Sequence, residues 1–199
     1  PSLERVSCYA MPKNLLQKTD YELKILKKTG LKMFYIGIES GSDIILRKVT
    51  KGATYKTILQ GCKKARKHGY TLSCMVILGL GGEKYTEEHI KNTAKIISEV
   101  SPDYVGALNL HLDQNIYNEF MTKFKDSFKF LSDLQILDEL EYLIININPS
   151  SPIIFRANHA SNVYAVKGTL PNEKEKMLEL IRQLKNHPEM LKPKILRRF

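Results

Sequence analysis

The sequence predicts an α/β fold: about four parallel strands alternating with helices over residues 1–111, then a mainly α-helical C-terminal extension over 112–199. Three observations carry this. Apolar runs end at glycine-bearing turns, and capped amphipathic segments follow them. The run 72–78 is apolar at both alternations, as expected of a strand buried in a parallel sheet. After Leu112 the β/α rhythm stops and helical stripes take over.

Taken in order, residues 5–10 read as a short strand stopped by Met11-Pro12. Thr19 and Glu22 form a capping box, which opens a helix with Leu23 and Leu26 inward and Gly30 as its stop. Residues 32–38 form the next strand, and 43–49 a short helix ending near Lys51-Gly52. Thr54 caps a longer helix whose stripe is Tyr55, Ile58, Leu59, Cys62 and Ala65, ended by Gly69. The strand 72–78 runs into Gly79-Leu80-Gly81-Gly82-Glu83. Thr86, with Glu87 and Glu88, is expected to cap a helix striped by Ile90, Ala94, Ile97 and Val100, with His89 on its surface. Ser101-Pro102 breaks it, and 104–110 is a further strand. Such alternation implies parallel strands joined by right-handed crossovers. In the extension, Ser132 and Gln135 cap a helix with Leu134, Leu137, Leu140, Ile144 and Ile147 inward. Residues 150–171 read as loop-rich, and Asn172 with Glu175 caps a last helix carrying Met177, Ile181 and Leu184.

Composition bounds the function. The chain has 199 residues, 43% hydrophobic and 26% charged, which suits a globular fold with a sizeable core. Its longest apolar stretch, 75–80, is too short to cross a bilayer. Three widely spaced cysteines, Cys8, Cys62 and Cys74, form no Cys-x-x-Cys pair and suit a reducing, cytoplasmic setting. Cys62 and Cys74 read as small buried hydrophobes. The net charge of +10 is spread along helices, through Lys24, Lys27 and Lys28, Lys63, Lys64, Arg66 and Lys67, and Lys123, Lys125 and Lys129, with a basic tail at 192–199. Solvated helix faces account for most of it, and an anionic partner such as RNA is compatible with it. The chain starts at Pro1 without an initiator Met, which suggests a processed, excised or truncated chain.

The most informative stretch is Gly37-Ile38-Glu39-Ser40-Gly41-Ser42, which closes the run Met33-Phe34-Tyr35-Ile36. A strand-to-helix turn of this kind lies where α/β folds hold ligands. Its glycines also fit a plain tight turn. Glu39 fits either a ligand contact, as an acceptor for hydroxyl or amine groups, or a cap for the helix near Asp43.

Tyr35-Ile36-Gly37-Ile38-Glu39-Ser40-Gly41-Ser42-Asp43, with Leu46 and Lys51-Gly52, resembles the fourth barrel strand of radical S-adenosylmethionine (SAM) enzymes. Val76-Ile77-Leu78-Gly79-Leu80-Gly81-Gly82-Glu83 looks like their fifth strand and its glycine turn, and Asp103-Tyr104-Val105-Gly106-Ala107-Leu108 like the sixth. The segment 155–162, with Gly168-Thr169-Leu170-Pro171, is similar to the tail of a subgroup usually called Fe–S oxidoreductases, without an assigned substrate. The resemblance implies a partial, open (β/α) barrel of the radical SAM type, in which residues 1–111 hold the third to sixth of six strands. It also implies SAM and a [4Fe–4S] cluster as cofactors, the cluster held by a Cys-x3-Cys-x2-Cys loop. Carried over residue by residue, Glu39 with Ser40 takes the position that contacts the ribose of SAM, and Lys51 that of a cation near its carboxylate. Ile77, Leu78, Gly79, Ala107 and Leu108 would flank the adenine through backbone groups and apolar contact.

The chain departs from that pattern where the cluster should be. No Cys-x3-Cys-x2-Cys loop is present, nor is the family's methionine-binding motif, and Cys8, Cys62 and Cys74 match none of the cluster ligands. The expectation is therefore a C-terminal fragment of an oxidoreductase that supplies part of the SAM pocket and is inactive without its N-terminal part. Relatives often carry a Pro-Gly-Thr-Pro turn after the sixth strand, where this chain has His111-Leu112-Asp113-Gln114. Tyr9, Asn109 and His111 at strand ends, and Arg156 and His159 further on, are candidates for substrate contact; each also fits a structural hydrogen-bonding role. The alternative is a stand-alone nucleotide- or phosphate-binding module using the turns at 37–42 and 79–83, although neither is a P-loop or a Gly-x-Gly-x-x-Gly fingerprint. A strand at 5–10 without neighbours on one side is expected to pair with another chain or to be covered by the tail.

Overall fold

A computed structural model describes residues 4–124 and 128–197. Pro1, Lys125 and the last two positions of the basic tail lie outside the described residues. Six strands, β1 (Val6–Tyr9), β2 (Leu31–Glu39), β3 (Thr71–Leu78), β4 (Tyr104–Asn109), β5 (Ile153–Ala157) and β6 (Val166–Leu170), form one sheet in that spatial order. β1 to β5 pair in parallel, and β6 returns antiparallel to β5. The sheet is open, with β1 and β6 as its edges.

Eight helices accompany it among the described residues: α1 (Pro12–Gln17), α2 (Asp20–Lys28), α3 (Asp43–Lys48), α4 (Tyr55–Lys67), α5 (Gly82–Val100), α6 (Gln114–Phe124), α7 (Asp133–Asn146) and α8 (Lys174–Asn186). Of these, α2, α4, α7 and α8 pack against its strands. In the stripe of α4, Ile58, Cys62 and Ala65 are fully buried, and burying a side chain the size of Ile58 stabilises the fold by about 1.5–3 kcal/mol. The capping boxes at Thr19 and Ser132 form as expected, each side chain accepting from the backbone N–H three residues on. No helix among the described residues is long and apolar enough to cross a membrane.

The strands alternate instead of being buried on both sides. Leu72, Cys74, Val76 and Leu78 face the helices, whereas Ser73, Met75 and Ile77 are half-buried on the opposite, open face. On that face Tyr35, Ser73, Tyr104 and Ile154 line up across four strands.

Several expectations need correction. The sheet has six strands, not four, because residues 150–171 hold β5 and β6. The segment 112–199 is thus not only helical: it completes the sheet begun by 1–111. Pro12 does more than stop β1, since it opens α1 from the first turn, where a missing N–H costs nothing. The helix α5 begins at Gly82, so Thr86 lies inside it. Glu173, not Asn172, precedes α8 and makes no side-chain cap. The tail packs elsewhere than on β1: Lys192 N–H donates to Val163 O at 2.8 Å, and Arg197 pairs with Asp133 at the start of α7. All four residues of β1 are exposed.

Candidate functional site

The turn after β2 is built around a strained residue. Glu39 has φ 60°, left-handed backbone that is unusual for a non-glycine and costs about 1–3 kcal/mol unless its surroundings hold it. The pairing with β3 slips here, from Gly37 opposite Met75 to Glu39 opposite Val76. The bulge folds the Glu39 side chain back over Gly37, where an added Cβ would lie 2.0 Å from Glu39 Oε1. Lys51 Nζ donates to the same oxygen at 2.9 Å, and the two side chains are 19% and 22% exposed. A carboxylate and an ammonium therefore stand together, partly open to solvent, at the carboxyl end of a parallel strand.

The helix α5 clamps the turn from the other side. Ser40 is fully buried. Its Oγ accepts from Ser42 N–H at 3.0 Å and lies 2.8 Å from His89 Nδ1. His89 Nε2 is 2.9 Å from Ile77 O. A carbonyl can only accept, so Nε2 carries the proton and Nδ1 accepts from the Ser40 hydroxyl. Burial pushes the His89 pKa down to about 4 against the opposing bond to Ile77, so the ring is neutral. Gly41 N–H donates to Thr93 Oγ1 at 2.9 Å, and Ser42 Oγ donates to Glu88 Oε1 at 2.6 Å. A Cβ on Gly41 would lie 2.2 Å from the Asn92 backbone, so only glycine permits this approach. His89, expected on the surface, is thus a buried brace between the ends of β2 and β3. Its signal was the four-residue step to Thr93, which sets a second buried row beside Ile90, Ala94 and Ile97.

Glu139 on α7 was also missed, since it reads as an ordinary polar helix position. It is buried, accepts from Gly79 N–H at 2.6 Å, and accepts from the Thr86 hydroxyl. Burial pushes its pKa up to about 7, although both hydrogen bonds act the other way.

The predicted adenine contacts divide. Ile77 O is engaged by His89, Gly79 N–H by Glu139, and Leu78 O by Leu110 N–H. Ala107 is buried, and its carbonyl accepts from Asn162 Nδ2 at 2.9 Å. These backbone groups are already bonded within the fold. Ile77 and Leu108, paired across β3 and β4 on the open face, remain as apolar surface. Ser40 likewise faces α5 rather than the open face.

The candidate substrate residues fall into three places. Asn109 and His111 line a cavity of about 340 Å³ above the ends of β3 and β4, together with Gly79, Phe130, Ile136 and Arg197. His159 joins them indirectly: its Nδ1 is 3.0 Å from Ser161 Oγ, which accepts from Asn109 N–H at 3.3 Å. Arg156 is exposed on β5, with its guanidinium on Phe155 O and Gly168 O. Tyr9, 80% exposed at the β1 edge, has its ring 5.3 Å from that of Tyr35.

The two implied cofactors differ in fit. No group of three or more His, Cys, Asp or Glu able to hold a metal exists among the described residues. Cys8 is exposed on β1, whereas Cys62 and Cys74 are buried, and a hydrogen bond from the Cys74 thiol to Cys62, together with burial, pushes that thiol well up. These residues do not fit an iron–sulfur cluster. Glu39 and Lys51 do fit SAM in kind, because a carboxylate can accept from both hydroxyls of a diol and an ammonium can meet a carboxylate.

Residues 12–97 match the radical SAM superfamily. The chain is 28% identical over 151 residues to the tRNA-2-methylthio-N(6)-dimethylallyladenosine synthase of a Sulfurihydrogenibium species, covering 66% of this chain and 34% of that protein. It is 32% identical over 82 residues to a Methanocaldococcus jannaschii protein named "Probable threonylcarbamoyladenosine tRNA methylthiotransferase", covering 40% of this chain and 18% of that one. The chain thus spans about a third or less of these relatives. Its fold is similar to that of Elp3 from Methanocaldococcus infernus, with a TM-score of 0.63 at 18% identity over 94% of this chain and 42% of the other.

Proposed function

We propose, for a chain whose residues 12–97 belong to the radical SAM superfamily, that it forms one wall of a SAM pocket in an oxidoreductase that modifies tRNA. The observation that carries this reading is the Glu39–Lys51 pair, held at a left-handed turn on the open side of β2. When bound, SAM supplies the family's source of a carbon-centred radical. The ligands of the reducing cluster are not among these residues. In this reading catalysis by the chain alone is absent until the cluster-binding residues are supplied.

Each residue has a defined task. Glu39 accepts hydrogen bonds from the ribose hydroxyls. Lys51, released from part of its bond to Glu39, balances the carboxylate of SAM. Ile77 and Leu108 pack against the base and exclude water. His89 and Ser40 touch no ligand; they hold the turn in its strained form. The tRNA part of the proposal is supported by what the two named relatives act on and by the net charge of +10.

Calorimetric titration of SAM into the protein and into Glu39→Ala tests the reading. Loss of hydrogen bonds to a charged acceptor, worth about 1.5–3 kcal/mol, should weaken binding at least tenfold. Equal affinity for both proteins overturns it.

A further inference from the structure

The aromatic residues of α6 and the segment after it form a ladder that ends in solvent. Phe124 and Phe128 are buried, and their rings meet at 4.7 Å. Phe128 meets Phe130 edge-on at 5.1 Å. Phe130 in turn faces Tyr117, with centroids 6.2 Å apart and planes 14° from parallel. Yet Tyr117 and Phe130 are 40% and 44% exposed, and Ile116 beside them 48%. Burial drives folding, so flat rings left in water and backed by a rigid aromatic support do not serve the core.

Two further observations point to the occupant. Lys84 and Lys129 line a shallow recess with Phe124 and Phe128, the buried rings of the same ladder, and Lys129 directly precedes Phe130 in the chain. Lys129 lies 3.7 Å from Glu83, an exposed and weak ion pair that a phosphate can replace. In addition, Phe130 lines the 340 Å³ cavity above the ends of β3 and β4. Phe130 therefore links the ring pair to the cavity that Asn109 and His111 line. Flat exposed rings continuous with a ladder whose buried end is lined by two lysines suit a nucleic acid strand, whose bases stack and whose phosphates seek cations.

We propose that Tyr117 and Phe130, with Lys84 and Lys129, form a docking surface for single-stranded RNA that leads a nucleotide to the rim of this cavity. It rests on the tRNA reading above and adds where the RNA is held.

The test is fluorescence anisotropy with a labelled, unmodified tRNA transcript at low salt, using the wild-type protein, Tyr117→Leu and Phe130→Leu. Leucine keeps apolar bulk but removes the flat face. Each variant should bind about 5- to 100-fold more weakly, the range for loss of one base stack, while Tyr21→Leu, an exposed aromatic on α2, should bind as wild type. Lys84→Gln with Lys129→Gln should reduce the salt dependence of binding. If tRNA binds and neither ring variant weakens it, the surface is overturned and the tRNA reading stands. If the wild-type protein binds no tRNA, both fall, and the SAM titration of Glu39 still decides the other half of the function. Self-association that both ring variants abolish would assign the surface to a second copy of the chain and overturn the proposal.

Discussion

His89 joins two strand ends that are 12 residues apart in sequence from it on one side and 49 on the other: Nε2 meets Ile77 O at 2.9 Å and Nδ1 meets Ser40 Oγ at 2.8 Å. The helix α5 thereby fixes the turn that carries Glu39. His89→Ala removes the donor to the Ile77 carbonyl and the acceptor of the buried Ser40 hydroxyl, at about 1–3 kcal/mol each. Urea unfolding should show a loss of about 2–5 kcal/mol. A loss below about 1 kcal/mol would mean that the brace is dispensable.

The same ring sets an acid limit. Its folded pKa of about 4 lies below the ordinary value of 6.5. As pH falls from 6.5 to 4 the unfolded chain takes up a proton that the folded one refuses, so stability drops through that window. The difference in stability between wild type and His89→Gln should shrink by an amount on the order of 3 kcal/mol between pH 7 and pH 4. A difference that stays constant over that range would show that the ring does not titrate as described.

Two glycines of the turn should respond in opposite ways. A Cβ on Gly41 meets the Asn92 backbone at 2.2 Å, which cannot yield without moving α5. Gly41→Ala should therefore unfold or severely destabilise the protein, by more than about 3 kcal/mol. A Cβ on Gly37 meets only the ends of two flexible side chains, Glu39 Oε1 and Lys51 Nζ. Gly37→Ala should keep its thermal midpoint within a few degrees of wild type and lose SAM binding, because the pair is displaced. Circular dichroism melts beside calorimetry separate the two, and equal behaviour of both variants contradicts the geometry.

Glu139 should give the opposite pH trend from His89. Its folded pKa, about 7, is raised above the ordinary 4.5. Its protonation therefore favours the folded state fully below pH 4.5, and that contribution is lost as pH rises through 7. Glu139→Gln removes the buried charge and keeps an acceptor for Gly79 N–H. The variant should be more stable than wild type at pH 8, by about 1–3 kcal/mol, and nearly equal to it at pH 4.5. A less stable variant at pH 8 would show that the bonds to Gly79 and Thr86 outweigh the cost of burying the charge.

Much of the fold could be read from local signals. The boxes at Thr19 and Ser132 and the stripe Ile58, Cys62 and Ala65 are short-range patterns, and they placed their helices. β5 and β6 escaped because Pro152, Asn158, Ser161, Asn162 and Gly168 give 150–171 the composition of a loop. Its two five-residue strands exist through pairing with β4 and each other, a long-range term that composition does not carry. At the site, Glu39 and Lys51 could be named but not joined, since the bulge between Gly37 and Glu39 that brings them together is set by pairing with β3. His89 and Glu139 were hidden for a related reason. Each is a polar residue buried only because a partner from another element satisfies it.

The role proposed for Glu39 is to hold the ribose of SAM. The most direct measurement compares binding of S-adenosylhomocysteine with that of its 2′-deoxy analogue, in wild type and in Glu39→Ala. Wild type should prefer the intact ribose by about tenfold, one hydrogen bond to a charged acceptor, and Glu39→Ala should bind both ligands equally. An undiminished preference in Glu39→Ala would contradict it.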